Sequence, residues 1–190
     1  MLARVGSVSL LGTVACAVLF AQAQLVGQSS ATVTISGSST VRNWSCPAEA
    51  AVKVTPGKSG EAVPGFPGGV TIALTVPVKA IECDNDTMNE HLRTALKEKA
   101  YPQIAYQMKQ YTMAGSGQAK VSGQLTIAGV TKPVSFDVRL TPSGSGVRSV
   151  GETTIDMTQF AVTPPTVMLG QMKVGKMVRV KFDAVLQPTP

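Results

Sequence analysis

Short alternations of apolar and polar residues run from Ala31 to the end of the chain. Val33/Ile35, Val52/Val54, Val70/Ile72/Leu74/Val76 and Ile104/Tyr106/Met108 recur at every second position. So do Val121/Leu125/Ile127, Val134/Phe136/Val138/Leu140, Ile155/Met157 and Val174/Val178/Val180/Phe182. A period of two puts alternate side chains on opposite faces of a sheet. The intervening residues are Thr, Lys, Arg, Ser, Asp and Gln, so the second face meets water, as antiparallel strands allow. Pro56-Gly57-Lys58-Ser59-Gly60, Pro64-Gly65-Phe66-Pro67-Gly68-Gly69 and Pro142-Ser143-Gly144-Ser145-Gly146 read as turns or loops between the runs. Ile127-Ala128-Gly129-Val130 is short enough to join two strands as a hairpin. Strands in this number with short links predict an all-β, antiparallel up-and-down barrel or a sandwich.

One segment has a different period. Asp86 to Ala100 places Met88, Leu92, Ala95, Leu96 and Lys99 at helical spacing, with polar residues elsewhere. Asp86 or Thr87 caps its start in this reading, and Glu90 stands three residues beyond Thr87 as a capping box requires. Tyr101-Pro102 ends it, because the residue before proline is driven toward extended backbone. The expectation is a single amphipathic helix inserted between strands, with Leu92 and Leu96 covering an opening or an edge.

The chain begins differently. Arg4, an apolar run from Val8 to Phe20, and Ala21-Gln22-Ala23 are the three parts of a cleavable secretory signal. Cleavage is expected after Ala23, leaving 24–190 as one domain in the periplasm or outside the cell. Cys16 suggests a lipoprotein box, but Thr13 is a poor residue three places before it and the apolar run continues beyond. Loss of the signal removes Cys16 and leaves Cys46 and Cys83. In an oxidising compartment two leftover thiols pair, and a bridge between them is worth roughly 3–4 kcal/mol. Two unpaired thiols or half a metal site are the rival readings. A single histidine and the lack of a CxxC spacing disfavour the metal, and no cofactor is implied.

Composition narrows the class. With 190 residues, 15% charged, 44% hydrophobic, Gly 18 and Pro 12, the chain is neither a charged helical bundle nor disordered. The formal net charge of +6 allows transient contact with an acidic membrane surface. It is not organised as a basic cluster, zinc-finger spacing or aromatic RNA-binding motif, so nucleic acid is not an expected partner. Nucleophile-elbow, metalloprotease, phosphate-loop and dinucleotide fingerprints are absent. His91, the only histidine, stands beside Arg93 on the helix, a solvated or capping position. Glu82, Asp84, Asp86 and Glu90 cluster near it. The EF-hand pattern from Asp84 fails at Asn89 and Ala95, where glycine and glutamate are required. Asp137, Asp156 and Asp183 fall on the opposite parity from the apolar rows, so catalysis within a barrel is not expected.

Four stretches carry a resemblance. Gly37-Ser38-Ser39-Thr40-Val41-Arg42-Asn43-Trp44 opens the series, and Met88 to Arg93 with Lys99-Ala100-Tyr101-Pro102-Gln103-Ile104-Ala105-Tyr106 follows. Val121-Ser122-Gly123-Gln124-Leu125-Thr126-Ile127-Ala128-Gly129-Val130-Thr131-Lys132-Pro133-Val134 is the most specific, and Gly151 to Phe160 with Pro164-Pro165 and Val174 to Phe182 closes it. The chain resembles the YceI-like family of secreted bacterial proteins. The resemblance implies a lipocalin-like eight-stranded barrel with one inserted helix and no established catalytic activity. It implies an interior that accepts a long isoprenoid, a quinone or another amphiphilic lipid. Position 106 is Tyr where the family often has Phe, and the Cys46/Cys83 pair is not general to it.

The candidate lining residues, from strand parity within the matched stretches, are Ile104, Tyr106, Met108, Leu125, Ile127, Phe136, Val138, Ile155, Met157, Val180 and Phe182. Leu92 and Leu96 are the candidate lid or entrance. The alternative is a filled barrel acting as an envelope-stress or interaction module without a ligand. Periodicity identifies the apolar face and cannot show whether that face encloses a void. Oligomeric state is not legible in the sequence.

Overall fold

The computed structural model describes residues 29–115, 117–167 and 171–188. The expected signal, residues 1–23, lies outside them. Eight long strands close into an antiparallel barrel: β1 (Ser30–Ser38), β2 (Asn43–Pro56), β3 (Val70–Pro77), β4 (Gln103–Met113), β5 (Gln118–Ile127), β6 (Val130–Ser143), β7 (Gly146–Asp156) and β10 (Met177–Leu186). Each pairs with its neighbours in sequence, and β10 returns to pair with β1, so no edge is left open. A two-stranded hairpin, β8 (Thr166–Val167) with β9 (Met172–Lys173), lies between β7 and β10. Closure decides between the two architectures the strand pattern allowed: the fold is the barrel.

The alternation does what period two requires. Along β2, Cys46, Ala48 and Ala50 are buried while Ser45, Pro47 and Glu49 are exposed. In β6 the same rule turns Phe136, Val138 and Leu140 inward and Ser135, Asp137 and Arg139 outward. On β4 the register slips by one residue between Met108 and Gln110, a β-bulge at Lys109. The inward set therefore moves from even positions (Ile104, Tyr106, Met108) to odd ones (Tyr111, Met113). Ala128 (φ 47°) and Gly129 (φ 81°) turn β5 into β6 with left-handed backbone at both positions, the geometry of a two-residue hairpin.

The two ends of the barrel are closed differently. At one end the 57–69 loop brings buried Val63 and Phe66 beneath the barrel. It is latched to β4 by Glu61, whose carboxylate accepts from Met113 N at 2.9 Å and whose carbonyl accepts from the Tyr111 hydroxyl. At the other end stand the helix α1 (Asp86–Ala95), a 3₁₀ turn at Met157–Phe160, and the β8–β9 hairpin. The strand expected through Ile155/Met157 stops at Asp156, whose side chain caps the 3₁₀ turn by accepting from Thr158 N at 3.0 Å.

The helix is shorter than its pattern. Its N-cap is Asn85, one residue before the expected caps, and Asn85 Oδ1 accepts from Met88 N at 3.0 Å. Thr87 and Glu90 therefore form no capping box. The helix ends at Ala95, where Lys97 adopts φ 56°. Glu98 N then donates to Arg93 O at 3.0 Å and Lys97 N to Thr94 O at 3.0 Å, the paired bonds of a Schellman ending.

Candidate functional site

Inside the barrel lies a cavity of about 290 Å³. A water occupies about 30 Å³ of liquid volume, so the room is on the order of ten waters, or as many methylene groups of similar volume. Its wall is overwhelmingly apolar and contains no Asp, Glu or Lys. Ile104, Tyr106 and Met108 enter it from β4, Leu125 and Ile127 from β5, and Phe136 and Val138 from β6. Ile155 enters from β7, Met157 from the 3₁₀ turn, and Val180 and Phe182 from β10. Leu92 and Leu96 reach it from α1 and from the residue after its end.

An aromatic band builds one side of this wall. Tyr106 and Phe136 have ring centroids 5.6 Å apart, and Phe136 and Phe182 meet edge to face at 5.2 Å. The rings sit on β4, β6 and β10, and the strands between them carry glycine where the rings lie. A Cβ at Gly123 of β5 would stand 2.7 Å from the Tyr106 ring, and one at Gly151 of β7 would stand 2.4 Å from Phe182 Cζ. Trp44 is seated the same way: a Cβ at Gly37 of β1 would lie 2.5 Å from its Cζ2. Large rings thus lie flat against the wall because their neighbours have no side chain, and the centre stays open.

Two polar atoms are carried into this setting without partners. Tyr106 Oη and Trp44 Nε1 are buried and find no hydrogen-bond partner among the described residues. Burial pushes the Tyr106 hydroxyl up to about 12, because the phenolate would be stripped of water. The aspartates that parity placed outside are outside. Asp183 is held by Arg148, whose Nε donates to Oδ1 at 2.8 Å, and Asp156 pairs with Lys176 at 3.2 Å. Those hydrogen bonds depress the Asp183 carboxyl, through Arg148, and the Asp156 carboxyl, chiefly through Thr158.

The wall reaches solvent where its exposed members lie, at Arg42 and His91. Arg42 faces Asp84 at 3.8 Å and donates to Met88 Sδ at 3.0 Å. Met88, His91, Leu92 and Ala95 present one face of α1 to the cavity, the i, i+3, i+4, i+7 stripe of an amphipathic helix. The approach to the helix is fixed to the barrel by a Cys46–Cys83 disulfide. Asn89, itself buried, accepts from Cys83 N at 2.7 Å, and Glu82 N donates to Pro47 O of β2 at 3.0 Å. Both sulfurs' residues belong to the cavity wall. No group of three or more His, Cys, Asp or Glu among the described residues is placed to hold a metal ion.

A model of the YceI-like domain matches residues 26–186. The chain belongs to the YceI-like family. Its fold is shared with solved structures of low sequence identity. BcnA of Burkholderia cenocepacia superposes with a TM-score of 0.68 at 18% identity, covering 83% of this chain and 96% of that one. The Campylobacter jejuni YCEI protein gives 0.58 at 17% identity, covering 74% and 82%. A polyisoprenoid-binding domain from Saccharophagus degradans, implicated in plant cell wall breakdown, gives 0.54 at 12% identity, covering 84% and 94%. No curated protein sequence matches the chain.

Sequence reading missed much of this YceI-like wall. Trp44, Ile35 and Leu74 line it, yet only Ile35 and Leu74 stood in a recognised alternation. Trp44 begins a stretch of β2 whose inward residues are Cys46, Ala48 and Ala50, too small to mark an apolar row. Ser149 and Thr153 add two hydroxyl side chains from β7, polar residues that no apolar pattern reveals.

Proposed function

We propose that this protein is a non-catalytic carrier for a long, uncharged apolar lipid of the isoprenoid or quinone-like class. It acts in the periplasm or outside the cell as a mature domain spanning 24–190. The observation that carries the reading is the apolar cavity inside the barrel, whose wall offers hydrocarbon contact and no ionised carboxylate. A solid interior, as the interaction-module reading requires, does not accommodate it. The fold shared with a polyisoprenoid-binding domain supports the same ligand class.

The energetics suffice. Removing hydrocarbon from water is worth ~0.8 kcal/mol per CH₂, so burial of about ten such groups supplies ~8 kcal/mol, the scale of micromolar binding before ordering costs. Methionines at positions 88, 108 and 157 of the wall suit a flexible guest, since their unbranched side chains repack easily. The Leu92/Leu96 face of α1 serves as the lid over the entrance.

Trp44 supplies the assay. It is the single tryptophan of the chain and lies on the wall, so a guest changes its emission. Titration with geranylgeraniol is expected to give a saturable change with micromolar midpoint in the wild type. In Phe182→Asp, a carboxylate placed on the apolar wall abolishes it. Emission that stays unchanged in the wild type, while a radiolabelled prenol also fails to co-elute, contradicts the proposal.

A further inference from the structure

A hydroxyl buried without a partner is an expensive feature, and native structures retain few of them. Tyr106 carries one in the middle of a wall that is otherwise built to be apolar. The hydroxyl has no packing task, since a phenylalanine ring would make the same contact with Phe136 and rest on Gly123 in the same way. The ring rests on Gly123, which has no side chain, so Tyr106 lies flat against the backbone of the wall at the edge of the chamber. The cavity wall offers it no carboxylate, and neither Ser149 nor Thr153, the hydroxyl residues that β7 adds to that wall, bonds to it. A guest that carries an acceptor fills that place.

We propose that Tyr106 is a specificity-determining residue whose hydroxyl donates a hydrogen bond to an uncharged acceptor oxygen carried by the lipid. The preferred guest is then a long apolar chain bearing a carbonyl or ether oxygen within the chamber, rather than a plain hydrocarbon. This rests on the carrier reading and narrows its ligand class. Amine-bearing lipids are disfavoured, because their ammonium group would meet a donor and no anion. A carboxylate-bearing lipid would have to leave water for a wall whose only charged members are the rim groups around Arg42.

The test compares a long-chain ketone with the alkane of the same length, both read by Trp44 emission in the wild type and in Tyr106→Phe. The wild type is expected to bind the ketone about fivefold more tightly, the worth of one hydrogen bond of ordinary strength. In Tyr106→Phe the ratio of the two affinities falls to about one. A ketone labelled with ¹³C at its carbonyl adds a second readout: its infrared stretch is lowered in the wild-type complex and returns to the free value in Tyr106→Phe. Equal affinities in the wild type, or a preference and a band shift that persist in Tyr106→Phe, overturn the proposal and leave the carrier reading standing. Binding of neither compound by the wild type overturns both.

Discussion

Breaking the Cys46–Cys83 bridge tests how the lid is held. The two cysteines are 37 residues apart, and the loop they close contains the whole of β3, the 57–69 plug and the approach to α1. The chain-entropy relation gives about 4 kcal/mol for a loop of this length. Cys46 is fully buried on the cavity wall, so its replacement by alanine enlarges an existing hollow and leaves no polar group stranded, as serine would. The Cys46→Ala/Cys83→Ala variant should therefore unfold in urea with a free energy about 4 kcal/mol lower than that of the oxidised wild type. Its dependence on urea should steepen, because the uncrosslinked denatured chain exposes more surface. The same variant should release geranylgeraniol faster, since Cys83 precedes α1 by only a short turn. A stability loss below about 1 kcal/mol would refute the loop-closure reasoning. Unchanged release would refute the link between bridge and lid.

Other substitutions and pH read out different parts of the structure. Gly123→Ala puts a Cβ 2.4 Å from Gln107 O and against the Tyr106 ring, and should cost about 1–3 kcal/mol in chemical denaturation. Lys97→Gly relieves a left-handed lysine at the end of α1 and should gain about 0.5–1 kcal/mol, whereas Asn85→Ala removes the cap and should lose about 1 kcal/mol. The Tyr106 hydroxyl is raised to about 12 in the folded protein, so the unfolded chain ionises first. Stability is full below about pH 10 and declines as pH rises from there toward about 12, and Tyr106→Phe should lose this part of the decline. Asp183 is depressed by Arg148, so its contribution is present above about pH 4 and disappears as pH falls through the folded value. Arg148→Ala should flatten that acid limb of the stability curve.

What the sequence disclosed and what it hid have physical reasons. Strands β3, β5 and β6 carry Val, Leu, Ile and Phe on their inward rows, so period two was visible and the barrel interior could be assigned. On the first half of β2 the inward places are filled by Cys46, Ala48 and Ala50, which give no amphipathic signal. The bulge at Lys109 inverts parity halfway along β4, so Tyr111 and Met113 join the interior from positions that alternation assigns to solvent. The helix was read too long because Leu96, Lys97, Glu98 and Lys99 are all good helix formers; the fold turns the chain back at Lys97 without the glycine that usually marks such a stop. The hollow had no sequence signature at all. It arises from the pairing of Tyr106, Phe182 and Trp44 with Gly123, Gly151 and Gly37 on neighbouring strands, a relation that exists only once register is set.

Occupancy in the native compartment tests the account most directly. Protein purified from its source without detergent, extracted with organic solvent and analysed by mass spectrometry, should yield one neutral long-chain lipid in near-equimolar amount. Recovery from the Phe182→Asp variant should fall to background. A wild-type extract free of stoichiometric lipid, from protein that also takes up none when incubated with the source membranes, would contradict it.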